Sequence, residues 1–80
     1  MMLMKEIKRN YFDEKLKECR RFARIDQRRL ADLCNVSLST VKKWESGDTR
    51  PTPAHMEALK MAFGKLPEHL MIELLNEYKK

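Results

Sequence analysis

Apolar residues recur at three- and four-residue spacing along most of this chain, and the intervals between the runs hold residues that start or stop helices. Phe12, Leu16, Cys19 and Ala23 share one face, so the spacing predicts an amphipathic helix over 12–23, with Asp13 and Glu14 at the positive end of its dipole. Asp26 reads as the N-cap of a second helix, since its carboxylate can accept from the free amides of the next turn. That helix carries Leu30, Ala31, Leu33 and Cys34 and stops near Asn35, a residue tolerant of left-handed backbone. Val36 is expected as a buried spacer, and Ser37 as the cap of a third helix over Leu38 to Ser46, ended by Gly47. Thr52 and Pro53 suit the cap and first turn of a fourth helix, 53–63, with Met56, Leu59 and Phe63 inward and Gly64 as its stop. Pro67 opens a fifth, 67–78, with Leu70, Met71, Leu74, Leu75 and Tyr78. Residues 2–9 fit a strand, a helical extension or a frayed arm equally well.

The expected fold is therefore all-α, five helices in one domain over 1–80. Residues 1–11 form an arm, 12–64 the core, and 65–80 a C-terminal helix available for dimerisation. A chain of 80 residues, 42% hydrophobic and 36% charged, suits one small globular domain rather than a disordered tail. No apolar run reaches membrane-spanning length, and the opening residues are too short and too charged for a secretory signal. With no secretory signal expected, Cys19 and Cys34 read as reduced, buried small apolar residues of a cytoplasmic protein.

Charge adds a direction. The net charge is +5, and residues 1–50 hold all of the excess, with thirteen Lys or Arg against eight Asp or Glu; residues 51–80 hold four of each. One basic region and one neutral region suit a nucleic-acid face and an assembly face. Catalytic chemistry finds little purchase. His55 and His69 stand alone, no metal-ligand spacing links them to the cysteines, and no nucleophile–base order or phosphate-cradling glycine loop is present. The chain is read as a non-enzyme without cofactor or metal.

The informative stretch is DQRRLADLCNVSLSTVKKWESG, Asp26 to Gly47. Two short helices meet through a tight turn. Ala31 is small enough for close packing between them, Asn35 accepts the turn's backbone, and Val41 and Trp44 anchor the second helix inward. Trp44 is read as core rather than as a stacking platform because it is in phase with Val41. The opposite side, Ser37, Ser39, Thr40, Lys42 and Lys43, stays polar. The pattern is a helix-turn-helix whose second helix can enter a major groove.

The run LKECRRFARIDQRRLADLCNVSLSTVKKWESGDTRPTP, residues 16–53, resembles the Cro/repressor-type, lambda-repressor-like helix-turn-helix family, and the fourth helix to Gly64 follows the same plan. Asn35 stands where glycine is usual, and Arg28-Arg29 where acidic residues are common. The resemblance implies a dimeric, cytoplasmic, bacterial or phage-encoded regulator, a Cro-like repressor of phage or prophage type, that reads an inverted-repeat operator in double-stranded DNA. Ser37, Leu38, Ser39 and Lys43 match base-contacting positions; Gln27, Arg28, Thr40, Lys42 and Arg50 match or adjoin phosphate-contacting ones. Arg20 and Glu45 match a buried ion pair between the first and third helices. The same resemblance leaves room for an antitoxin that also masks a toxin, and for a protein-interaction adaptor. The last helix carries two apolar stripes, Leu70 with Leu74 and Met71 with Leu75 and Tyr78; one of them, with Met2, Met4 and Ile7, is expected to meet a second copy.

Overall fold

A computed structural model describes residues 11–80. Five helices are present among them: α1 (Phe12–Phe22), α2 (Gln27–Cys34), α3 (Leu38–Ser46), α4 (Pro53–Ala62) and α5 (Glu68–Lys79). The expected arm over 1–11, and with it Met2, Met4 and Ile7, lies outside the described residues except for Tyr11.

The helix boundaries follow local chemistry. Asp26 Oδ1 accepts from the Arg29 amide at 2.7 Å, Ser37 Oγ from the Thr40 amide at 3.1 Å, and Thr52 Oγ1 from the His55 amide at 3.2 Å. Each bond satisfies an amide that the first turn of a helix leaves without a partner. Asn35 ends α2 with φ 57° and ψ 45°, and Gly47 ends α3 with φ 85°. Alanine can take the Asn35 conformation only at a cost. Asn35→Ala is therefore expected to lower stability by about 1–2 kcal/mol, and Asn35→Gly to be tolerated, as read from urea unfolding midpoints. Gly64 does not use left-handed freedom; α4 ends instead on turn bonds from the Gly64 amide to Met61 O and from the Leu66 amide to Phe63 O.

The inward positions form one core. Phe12, Leu16, Cys19, Leu30, Ala31, Cys34, Val41, Trp44, Met56, Leu59, Phe63, Leu70 and Leu74 are all buried. Each large side chain among them contributes about 1.5–3 kcal/mol by leaving water. α1 packs against α3 and α5, and α2 against α3 and α4. Trp44 lies at the centre and meets the His55 ring at 5.5 Å between centroids. Leu33, the remaining large apolar residue of α2, is exposed. Both cysteines are free and buried. Loss of hydration pushes the Cys19 thiol up to about 11 and raises Cys34 as well, so neither is a ready nucleophile at neutral pH.

α5 differs most from expectation. Its first stripe, Leu70 and Leu74, is buried, and Met71, Leu75 and Tyr78, expected to be surplus to the core, are half-buried against it. Polar ties reinforce this docking. Lys15 Nζ lies 2.8 Å from Glu73 Oε1, the Tyr11 amide donates to Glu77 Oε1 at 3.0 Å, and the Tyr78 hydroxyl donates to Pro51 O at 2.7 Å.

Candidate nucleic-acid interface

The site begins with the phase of α3. Val41, Trp44 and Glu45 point inward and are buried, while Ser37, Ser39, Lys42, Lys43 and Ser46 are exposed and Leu38 and Thr40 are half-buried. Leu38, Ser39, Lys42, Lys43 and Ser46 line one open depression on the outer side, with Asp48 at its edge. A helix of this width with a free polar side suits the major groove, which admits a single α-helix. Among the described residues neither lysine ammonium has a carboxylate partner. Their donors are thus available to an anion or a base edge. Asp48 would repel phosphate, which favours bases over backbone at that end of the helix.

The expected base-contacting residues are brought together but are not equivalent. The Ser37 hydroxyl is already occupied as the N-cap of α3 and shares a 2.9 Å bond with the Thr40 hydroxyl. Thr40 is thereby turned toward the cap. Ser39 makes no side-chain hydrogen bond among the described residues. Leu38 presents a partly open methyl surface beside it.

A buried polar hub fixes the tilt of α3. Glu45 is 4% exposed and Arg20 13%, and the guanidinium meets the carboxylate in a fork: Nε to Oε2 at 2.7 Å and Nη2 to Oε1 at 3.1 Å. Arg20 Nη1 also donates to Ile25 O at 3.1 Å. Gln27 Nε2 donates to Glu45 Oε1 at 3.0 Å. Glu45 thus ties together α1, the first residue of α2 and α3. The fork geometry is among the stronger charge-assisted arrangements, and no buried side-chain nitrogen or oxygen among the described residues is left without a partner.

The expected phosphate contacts divide. Arg28 and Arg29 are exposed on the first turn of α2, where free amides and the helix dipole also favour an anion. Gln27 keeps one side-chain N–H beyond the bond to Glu45, since a carboxamide carries two. Arg50, also expected at phosphate, is exposed but bonded within the fold through one nitrogen. Its Nη2 donates to Tyr78 O at 2.6 Å and Glu77 O at 3.2 Å, and its guanidinium lies 4.8 Å from the Tyr78 ring centroid and 5.3 Å from that of Phe12. A cation at the C-terminal carbonyls of a helix offsets the negative end of its dipole. Arg50 therefore fastens α5 to the loop that follows α3. No signal in the sequence marked this tie, because its partners lie 27 and 28 positions away. The Gln27–Glu45 bond is equally unmarked, since its partners lie 18 positions apart.

Other chemistry is poorly supplied. Among the described residues no group of three or more His, Cys, Asp or Glu is placed to hold a metal ion, and no helix is long and apolar enough to cross a membrane.

Comparison with known proteins gives one match. A family model described as helix-turn-helix matches residues 16–70, more than half of the chain. No curated protein and no solved structure matches.

Proposed function

The chain belongs to the helix-turn-helix family of the Cro/repressor type, a family of DNA-binding transcriptional regulators, and from that premise we propose that it is a Cro-like phage or prophage repressor that binds an inverted-repeat operator as a dimer. The observation that carries the reading is the outer side of α3, which is held at a fixed tilt from behind by Glu45 and left unpaired in front. Two copies about a two-fold axis would place their α3 helices in successive major grooves, about 34 Å apart. Ser39, Leu38 and Lys43 read base edges, with Ser37 contributing from the cap. Lys43 donates to guanine, and Leu38 meets a thymine methyl. Arg28, Lys42 and the free N–H of Gln27 hold phosphates, and Thr40 lies close enough to the cap to join them. Bound over a promoter, the dimer excludes polymerase.

The dimer contact is proposed at the outer side of α5, where Ile72 is 48% exposed, rather than at Met71, Leu75 and Tyr78, which the core already half covers.

Fluorescence anisotropy with the full chain and labelled duplexes tests the phosphate assignments. Arg28→Ala is expected to weaken every duplex by a similar factor and to flatten the plot of log affinity against log salt by about one unit of slope. An unchanged slope would take Arg28 out of the interface.

A further inference from the structure

Two of the most exposed large apolar residues lie together, away from the outer side of α3. Met61 is 83% exposed and Phe22 58%, and both line an open groove of about 380 Å³ between the C-terminal ends of α1 and α4. Ile25 and Leu66 continue its apolar lining, with Phe63 at the base. A volume of this order matches the smaller ligand pockets, enough for apolar side chains of a peptide segment. Methionine is the adaptable residue for such a surface, having three rotatable bonds and a polarisable sulfur.

Lys65 is part of the lining, and Arg21 and Arg24, both exposed, are immediate chain neighbours of the lining residues Phe22, Ala23 and Ile25. Of the acids nearest in the chain, Asp26 is engaged as the cap of α2 and Glu68 starts α5, two against the three cations. Arg24 also takes a left-handed backbone, φ 61°, at the turn that leaves α1. Glycine is the usual residue for that conformation, so the arginine is present at a conformational cost.

We propose that this groove, lined by Phe22, Met61 and Leu66 and rimmed by Arg21, Arg24 and Lys65, docks an acidic segment of a partner protein that presents apolar side chains. Charge complementarity selects this occupant. The chain's own first ten residues carry Lys5, Lys8 and Arg9 against Glu6, the same sign as the rim. A second copy docked about a two-fold axis would bring one basic rim against another. Duplex DNA would satisfy the rim but offers no side chains to fill the apolar floor. An acidic segment with apolar residues at its centre satisfies both.

The test uses the immobilised full chain and phage-displayed random short peptides. Selected peptides are expected to be rich in Asp and Glu flanking Leu, Phe or Met. Their affinity should fall roughly tenfold or more in Met61→Asp and should weaken in Lys65→Glu and with added salt. Both residues are exposed, so unfolding midpoints and DNA affinity are expected to stay at the parent values. Failure to enrich any peptide, enrichment without an acidic bias, or equal binding to Met61→Asp would overturn the proposal. So would a fall in sedimentation mass in Met61→Asp, which would give the face to a second copy. A loss of DNA affinity in that variant would instead give it to the duplex. Parent-like DNA binding alongside any of the first three results would remove the docking site and leave the DNA-reading assignment standing.

Discussion

Glu45→Ala is expected to lower folding stability by about 3–5 kcal/mol, the largest effect of any polar substitution among the described residues. The variant strands the Arg20 guanidinium, only 13% exposed, and removes the acceptor of Gln27 Nε2. Desolvation decides the magnitude. A buried ion pair adds little over a well-packed apolar pair, but a buried charge without its partner is strongly unfavourable. The double variant Arg20→Met, Glu45→Leu is therefore expected to recover most of the loss. Urea unfolding of the two single variants and the double variant gives the cycle. A single-variant cost below about 1 kcal/mol, the scale of a surface bridge, would show that the hub does not hold α3. The double variant carries a second consequence. If Glu45 sets the tilt of α3, a stable double variant will still bind DNA less selectively, because Gln27 and Arg20 no longer share a common acceptor with that helix.

Lys43→Ala is expected to cost about 1–3 kcal/mol at one base pair of the binding site, about 5- to 150-fold in affinity, and to make the chain indifferent to that base pair. Lys43 is exposed on the outer side of α3 beside Ser39 and Leu38, and among the described residues no carboxylate pairs with it. Its contribution is therefore available to the duplex and is not consumed in the fold. The measurement is affinity across single-base variants of one duplex, at fixed salt. A uniform loss across all of them would make Lys43 a phosphate contact, and sequence choice would pass to Ser39 and Leu38.

The parts of this molecule that were legible from the residues are those governed by local chemistry. Asp26, Ser37 and Thr52 cap helices because a short side-chain oxygen reaches amides two or three residues on, and such reach depends on nothing distant. Asn35 and Gly47 stop helices for an equally local backbone reason. The buried side of α3 followed from the phase of Val41 and Trp44. The parts that were not legible depend on tertiary geometry. Arg50, three residues beyond Gly47 on the basic side of the sequence, read as a phosphate contact; the fold carries α5 to it and engages its guanidinium with two carbonyls. Met71, Leu75 and Tyr78 read as surplus apolar surface because spacing reports which residues share a face, not how wide a groove that face enters. Phe22 and Met61 raised no signal at all. Each sits at the end of its helix, and only their approach in space makes a groove of them.

Selection of binding sites from random duplex DNA by the full chain tests the central claim most directly, that the outer side of α3 reads bases. The expected result is an inverted repeat with half-sites about one helical turn apart, in which Lys43→Ala erases the preference at one position in each half and leaves the others intact. Recovery of duplexes with no shared sequence, or of one motif identical for the parent chain and for variants at Ser39 and Lys43, would contradict it.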